Sequence, residues 1–527
     1  MNKRKQNLIK VILLAFSLSA LVGFTYNTKY DKNKKGGNPD NIPEIADVNI
    51  TSISKEEAMA PHYKVAGIIG ENIKFELLLP EDWNGKFVFG GGAGFVGSVI
   101  NLALSYNVLE KGYATVGTDT GHEGANPIDG RWAEGDMEAI VNFGHMAVHR
   151  TTVVSKAIIE AFYNNKIEYS YFVGCSRGGG QAMMEAQRYP NDFDGIVAGA
   201  PAYEWTSGLA MGMTHNVSKM FPDPNNLAEP LLSISDLKLV EDAYLEMCDE
   251  LDGIKDGILN DPRACHFDIE TLLCDGDNKE DCLSQEQIDA LKAIYEGPQD
   301  KNGDIFYGFP FGGETHQDGW SKWITGGLNH VDDGSTFHQG IDNSSEEKFP
   351  TPPNYQYGFG THIMKFFIYQ DSAWTYSDYD YDTFRDDALF IGQTLNASSP
   401  DLSKFRANGG KLMMYSGWSD PAITSLGTIG YYEDVIDFDE TAEDDVKLFM
   451  MPGVLHCAGG DGPWYVNWVD EIDNWVANEK DPEQITVYFI DEDMKPAGSR
   501  LLCPYPTAAE YDGVGDNRNV RSFFCGN

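Results

Sequence analysis

The sequence around Ser176 constrains the fold more than any other segment of the chain. The β-prone run 169–173 leads into Gly174-Cys175-Ser176-Arg177-Gly178, and the helix-like segment 179–186 follows at once. Strand, tight turn and helix, with a serine between small residues, is the arrangement that raises a nucleophilic serine above a sheet. The N–H of Arg177, at the helix N-terminus, can then stabilise an oxyanion. We therefore predict that Ser176 is a nucleophile; a glycine-rich turn without a catalytic role is the alternative.

Strand-like and helix-like segments alternate on both sides of this motif. The helical periodicity covers 137–163, and further strand-like runs lie at 74–79, 87–89, 113–116, 411–415 and 446–451. Strands that alternate with helices favour a parallel sheet. The sequence therefore predicts an α/β fold with an α/β-hydrolase core, built on a mainly parallel sheet.

The composition and periodicity of the chain change between residues 204 and 404. Aromatic residues, Asp, Asn, Gly and Pro dominate there, and regular periods are weak. A chain of 527 residues is long enough for a large core and an insertion. We expect a catalytic domain split into 45–203 and 405–527, with a large inserted lid domain at 204–404.

A serine hydroxyl needs a base within hydrogen-bond reach, and the base needs an orienting acid. Asp420 follows the strand-like run 411–415, and His456 follows the run 446–451. Both lie just beyond predicted strand ends, where α/β sheets place their sites, and the order Ser, Asp, His is that of α/β-hydrolases. We predict Ser176, Asp420 and His456 as the catalytic triad. The glycine-rich segment 91–94, after an early strand, should supply a second oxyanion donor, and we favour Gly92.

The composition disfavours several classes of partner. Asp and Glu number 81 against 39 Lys and Arg, which gives a net charge of −42. Such a surface repels nucleic acids and anionic lipids. We expect no nucleic-acid partner, and no stable membrane association once the N-terminal signal is removed.

The N-terminus and the cysteines indicate export. Four basic residues within the first ten precede the apolar run 11–24, which predicts a signal peptide at 1–26 and a flexible leader at 27–44. A signal anchor is the alternative. Eight cysteines, none in a C-x-x-C, suggest disulfides rather than a zinc or redox motif. We expect a secreted or periplasmic protein.

The segment 248–261 is dense in the hard oxygen ligands that Ca²⁺ prefers. Asp249, Asp252 and Asp256 provide carboxylates, and Gly253 and Gly257 allow turns. The EF-hand spacing is not met. A solvated acidic turn is the alternative.

Several motifs together resemble the tannase and feruloyl esterase family over nearly the whole mature chain. They are the segment 174–179, Glu185-Ala186-Gln187-Arg188-Tyr189-Pro190, the segment 193–201, Asp119-Thr120-Gly121-His122, the segment 416–421, His456-Cys457-Ala458-Gly459-Gly460, and the C-terminal segment from Cys503 to Cys525. These motifs are specific for the family but not for one substrate.

The resemblance implies further site residues. In that family the cysteine before the serine pairs with the cysteine after the histidine, which here implies a Cys175–Cys457 disulfide. By the same pattern the other pairs are Cys248–Cys265, Cys274–Cys282 and Cys503–Cys525. The resemblance also implies structural Ca²⁺ held by Asp249, Asp252 and Asp256 and by the carbonyls of Ile254 and Ile258.

From these features we expect a secreted serine esterase that hydrolyses esters of aromatic, phenolic acids through an acyl-enzyme. Its substrate would be a small aromatic ester: a gallate, a hydroxycinnamate or a terephthalate monoester. The side chain of Arg177 is a candidate contact for a charged substrate, or a surface residue. The alternatives are another serine hydrolase, such as a peptidase or a short-chain esterase, and a non-catalytic module that binds phenolics or glycans.

Overall fold

The computed structural model describes residues 36–124, 126–275, 281–326 and 353–526. The predicted signal peptide and the first half of the predicted leader, residues 27–35, lie outside these ranges. None of the helices within them has the length and apolar character that crossing a bilayer requires.

A nine-stranded sheet forms the centre of the molecule. Its strand order is β1-β2-β3-β5-β4-β6-β7-β10-β11. The six strands from β5 to β11 along this order run parallel, and β1, β2 and β3 extend one edge with antiparallel pairing. The strands are β1 Val48–Glu56, β2 His62–Ile69, β3 Ile73–Pro80, β4 Lys86–Gly90, β5 Ala114–Thr118, β6 Tyr169–Cys175, β7 Gly195–Gly199, β10 Lys411–Gly417 and β11 Val446–Met451. The mainly parallel α/β fold predicted from the sequence is thus confirmed.

The central strands are apolar along their whole length because helices cover both faces of the sheet. All five residues of β7, and six of the seven in β6 and in β10, are buried. Such continuous burial is typical of parallel sheets. The helices of the first part of the chain are Met137–Val141, Ala147–Tyr163 and Arg177–Arg188, and those of the last part are Ser425–Phe438 and Trp468–Ala477.

The helix predicted over 137–163 is interrupted. A π-helical segment, Asn142–Met146, separates its two α-helical parts, and Ala147 donates its N–H to the carbonyl of Asn142. A wider turn of this kind leaves carbonyl groups free for other donors. The consequence for Arg177 is described below.

The segment between β7 and β10 contributes no strand to the central sheet in its described part. It forms a mainly helical layer with its own apolar core, into which Phe95 and Phe143 of the first part of the chain also pack. Its elements are two π-helical segments, Trp205–Met213 and Ile363–Ile368, the short pair β8 Gln299–Asp300 and β9 Gly303–Asp304, and the helices Thr214–Met220, Ile234–Cys248, Gln285–Glu296, Trp320–Trp323, Tyr355–His362, Phe384–Leu395 and Ser403–Ala407.

Two antiparallel hairpins complete the C-terminal end of the chain. They pair β12 Ile485–Ile490 with β13 Pro496–Leu502, and β14 Ala508–Tyr511 with β15 Phe523–Gly526. Ile254 of the acidic segment packs in a small apolar cluster with Leu501, Cys503 and Phe523 of these hairpins. This cluster attaches the acidic segment to the C-terminal part of the chain.

Candidate active site

Ser176 sits on a sharp turn between β6 and the helix Arg177–Arg188. Its backbone angles, φ 61° and ψ −121°, are those of a strained turn. Small residues are required there, because a Cβ on Gly174 would lie 2.5 Å from the carbonyl carbon of Gly178. Ser176 is the one partly exposed residue between Tyr171 and Ala186. The fold therefore presents this hydroxyl outward, as the motif predicts.

Asp420 and His456 lie on the loops that follow β10 and β11, at the same edge of the sheet. The Nδ1–H of His456 donates to Oδ2 of Asp420 at 2.8 Å, and the side chains are 5% and 0% exposed. Oδ1 of Asp420 accepts the N–H groups of Ala422, at 2.8 Å, and Ile423, at 3.0 Å. Within the described part of the chain, Nε2 of His456 is buried and has no hydrogen-bond partner. This nitrogen is therefore available to accept a proton.

A disulfide joins the serine turn to the histidine loop. Cys175 and Cys457, the neighbours of Ser176 and His456, are bonded with their Cα atoms 5.9 Å apart. The other disulfides are Cys248–Cys265, Cys274–Cys282 and Cys503–Cys525, and no free cysteine remains. These are the pairs that the family resemblance implies.

The N-terminus of the helix after Ser176 offers a free donor. The N–H of Arg177 makes no hydrogen bond to any described residue. The prediction for Gly92 does not fit this arrangement, because its N–H is donated to Oε1 of Gln181 at 2.9 Å. The next two N–H groups of the same loop, those of Ala93 and Gly94, have no acceptor in the described ranges.

The side chain of Arg177 is not on the surface. The residue is 1% exposed, and its guanidinium lies over the rings of Phe143 and Trp205. A surface role for this side chain is therefore wrong, and its nitrogens are directed into the protein rather than toward solvent.

An aromatic ring of the segment between β7 and β10 packs against His456. Trp323 meets the ring of His456 edge to face, with centroids 5.1 Å apart. Phe359 lies parallel to Trp323 at 6.2 Å and also contacts Phe95 of the glycine-rich loop. No sequence pattern singles out these three residues, because they are separated in the chain and show no periodicity.

The acidic segment 248–261 folds into a loop with the donor chemistry of a calcium site. Oδ1 of Asp249 accepts the N–H of Gly257 at 2.8 Å, and Oδ1 of Asp252 accepts that of Ile254 at 3.0 Å. Asp256 pairs with Arg500. Burial raises the pKa of Asp252 to about 6, and the charge of Asp256 adds to this effect. The carboxylates are the hard oxygen donors that Ca²⁺ prefers, and a cation would offset the cost of burying Asp252.

The carboxylates of Asp249, Asp252 and Asp256 do not form a set of three with all ligand atoms within 4.8 Å of one another. Among the described residues, His149, Glu185 and Asp192 are the set of three whose ligand atoms all lie within 4.8 Å of one another. Groups of this set are already hydrogen-bonded: Nδ1 of His149 donates to Asp192 at 2.6 Å, and Lys156 donates to the carbonyl of Asp192. Burial, followed by the charge of Asp192, raises the pKa of Glu185 well above its usual range. We assign no metal to it.

Comparison with known proteins agrees with this architecture. The chain is 32% identical to the mono(2-hydroxyethyl) terephthalate hydrolase of Piscinibacter sakaiensis, in an alignment that covers 89% of this chain and 85% of that protein. It is 28% identical to feruloyl esterase B of Aspergillus niger, over 85% of this chain and 83% of that protein. The crystal structure of feruloyl esterase B from Aspergillus oryzae has the same fold, with a TM-score of 0.78 at 24% identity, over 92% of this chain and 98% of that one.

The family described as tannase and feruloyl esterase matches residues 61–526, which is most of the chain. Its members among the relatives are named as esterases or hydrolases. The chain therefore belongs to the tannase and feruloyl esterase family, and it is a carboxylic ester hydrolase.

Proposed function

We propose that this protein is a secreted serine esterase that hydrolyses esters of aromatic acids, with Ser176 as nucleophile, His456 as general base and acid, and Asp420 as the residue that orients His456. The observation that carries the proposal is the hydrogen bond from His456 Nδ1 to Asp420, with Nε2 left free. The Cys175–Cys457 disulfide supports it, because it holds the residues next to the base and the nucleophile together.

The proposed reaction follows the usual course of acyl transfer. Nε2 of His456 takes the proton of the Ser176 hydroxyl as Oγ bonds to the ester carbonyl carbon. The same proton passes to the alcohol oxygen when the ester C–O bond breaks, which leaves the acyl group on Ser176. Water then attacks the acyl-enzyme in the same way. The N–H of Arg177 and an N–H of the glycine-rich loop, for which Ala93 and Gly94 have unengaged donors, would stabilise the oxyanion.

The preference for aromatic acyl groups rests on the rings beside the base. Trp323 provides an aromatic ring beside His456, and the ring of Phe359 lies parallel to that of Trp323. Aromatic pairs contribute about 0.5–1.5 kcal/mol beyond the area that they bury. The names of the relatives, a terephthalate monoester hydrolase and feruloyl esterases, agree with this preference. Four disulfides support export, because such bonds persist in oxidising compartments.

The test is a panel of substrates compared by kcat/KM: methyl gallate, methyl ferulate, a terephthalate monoester and short aliphatic esters. We expect at least one aromatic ester to exceed the aliphatic esters by at least about tenfold. The anilide matched to the best ester separates an esterase from a peptidase. Equal rates on aliphatic and aromatic esters, or binding of the aromatic esters without turnover, would contradict the proposal.

We expect Trp323→Ala to lower kcat/KM for the best aromatic ester by about threefold to tenfold, because one wall of the acyl site is lost. A short aliphatic ester is the internal control, and its kcat/KM should change little. Trp323→Phe should recover most of the loss. An equal fall for both esters would show that Trp323 acts on His456 rather than on the acyl ring.

We also propose that Asp249, Asp252 and Asp256, with the carbonyls of Ile254 and Ile258, hold a structural Ca²⁺. The ion would supply positive charge to a loop that is already attached to other parts of the fold. Asn260 donates to the carbonyl of Ala509 at 2.8 Å. Ile258 also packs closely beneath Gly453 of the histidine loop, where a Cβ on Gly453 would lie 3.1 Å from its side chain.

Removal of Ca²⁺ with a chelator should lower the melting temperature. Binding to the native state alone stabilises it by about 2.7 kcal/mol at a hundredfold excess over Kd. Asp252→Ala should melt like the chelated wild type and no longer respond to chelator. Glu250→Ala is the matched control, since Glu250 is an exposed acid of the same loop outside the proposed ligand set. If dialysed wild-type protein contains no calcium and a chelator does not shift its melting curve, the segment is only an acidic turn.

A further inference from the structure

Arg177 places an unneutralised cation next to the nucleophile. The residue is 1% exposed, and burial lowers the pKa of its guanidinium to about 9, which leaves it charged at neutral pH. It forms an ion pair with no carboxylate in the described ranges. A buried charge without a counter-ion is costly, so the groups around it must offset that cost.

Backbone carbonyls and ring faces take the place of a carboxylate. The guanidinium carbon lies 4.1 Å from the centroid of the Phe143 ring and 5.2 Å from that of Trp205. Its Nη2 donates to the carbonyl of Phe143 and, at 3.4 Å, to that of Gly144. Planar guanidinium groups stack on rings and donate in fixed directions at the same time, and an ammonium group does not.

These partners come from three different parts of the site. Phe143 lies in the π-helical segment Asn142–Met146, whose wide turn leaves its carbonyl for Arg177. Trp205 opens the π-helical segment with which the inserted domain begins. Phe95 of the glycine-rich loop packs against both rings, at 6.3 Å and 5.9 Å. The guanidinium thus joins the nucleophile turn to the core helix, the lid and the glycine-rich loop.

We infer that Arg177 is a positioning residue for the oxyanion site: its buried side chain fixes the direction of its own peptide N–H and holds the glycine-rich loop and the first lid segment around it. The inference rests on the proposed function. A turn of the Arg177 main chain would disturb the contacts of its guanidinium with the Phe143 carbonyl and with the rings of Phe143 and Trp205. Oxyanion donors act only at about 2.7–3.1 Å, and a displacement of about 1 Å costs about a hundredfold in rate.

The test compares Arg177→Met, which removes the charge and the donors, with Arg177→Lys, which keeps the charge and N–H donors but loses the planar guanidinium that stacks on the rings. Arg188→Met is the matched control: Arg188 ends the same helix and donates to the carbonyl of Gln393. Active sites are counted by labelling with an aryl phosphonate. For each variant, kcat and KM are measured on the best aromatic ester, together with Ki for phenylboronic acid, which bonds reversibly to Ser176 Oγ and places an oxygen in the oxyanion site.

In Arg177→Met we expect kcat per labelled site to fall about tenfold to hundredfold. KM should stay within about threefold, and Ki for the boronic acid should rise in proportion to the fall in kcat. Arg177→Lys should lie between Arg177→Met and the wild type, and Arg188→Met should keep the Ki of the wild type. A purely structural side chain would instead lower the melting temperature and the number of labelled sites, with kcat and Ki per site unchanged.

That second pattern, in either Arg177 variant, would overturn the inference. If Arg177→Met does not fold, Arg177→Lys decides the question alone, since it must then show the raised Ki. If the wild type is not labelled at Ser176, the proposed function fails and this inference fails with it. A wild type labelled at Ser176, with unchanged Ki in the variants, would remove the positioning role alone.

Discussion

Ser176→Ala should lower ester turnover by about 10⁶-fold and leave the melting temperature close to that of the wild type. The loss follows because no other hydroxyl occupies the exposed position on this turn. The fold should persist because the side chain of Ser176 makes no capping hydrogen bond to the helix that follows. The backbone of the turn makes its own bonds, from Ser176 N–H to the carbonyl of Gly199 at 3.0 Å and from Ala202 N–H to the carbonyl of Ser176 at 2.9 Å.

The measurement is kcat on the best aromatic ester, with thermal melting as the control for folding. His456→Ala should be similarly inactive. Turnover like that of the wild type in Ser176→Ala would refute the triad. Residual activity that the aryl phosphonate abolishes comes from a contaminating serine esterase, because the Ser176→Ala variant has no serine there to label.

Asp420→Asn should lower kcat by about 10⁴-fold. The hydrogen bonds of Asp420 explain why. Oδ1 of Asp420 accepts two N–H groups, so the oxygen of an asparagine must keep that side. Its amide NH₂ would then face Nδ1 of His456 and force that nitrogen to accept. The proton of the imidazole would move to Nε2, where it blocks the transfer from Ser176.

The parts of the site that sequence could predict share one property: each follows a strand within a few residues. Ser176 directly follows β6, and Asp420 and His456 come shortly after β10 and β11. A strand that is buried on both faces leaves a plain apolar signal, and its C-terminal end fixes where the next polar residue lies. The places of Ser176, Asp420 and His456 beyond the ends of buried strands are therefore largely encoded in local sequence.

Other features depend on contacts that no local pattern records. The edge strand β1 has no buried residue and its neighbour β2 has four buried residues of eight, so neither gave a strong apolar signal. The π-helical turn at Asn142–Met146 has the same apolar spacing as an α-helix over so short a length. Trp323 contacts His456 from a remote part of the chain. Gly92 is one of several glycines in its loop, and the sequence does not show which N–H of that loop is left without an acceptor. Tertiary packing, rather than local sequence, determines each of these features.

The double variant Cys175→Ala/Cys457→Ala should lose the most stability of any change to the cysteines. The bond spans 282 residues. On the chain-entropy account, closing a loop of that length stabilises the fold by up to about 5.6 kcal/mol. Cys274→Ala/Cys282→Ala is the matched control, since that bond spans 8 residues. Its removal should cost up to about 2.5 kcal/mol by the same relation and leave kcat at 25 °C unchanged.

Loss of the Cys175–Cys457 disulfide should also lower the catalytic rate. Cys457 has a φ of 67°, a conformation that residues with side chains adopt only under constraint, and the next residue toward the N-terminus is His456. Without the bond, this turn is free to relax and to carry Nε2 of His456 away from Ser176, so kcat should fall even well below the melting temperature. Peptide mapping without reductant should find the two cysteines joined in the wild type. Alkylation of both thiols in native, oxidised protein, or a double variant with the kcat and stability of the wild type, would show that the fold holds base and nucleophile together without this bond.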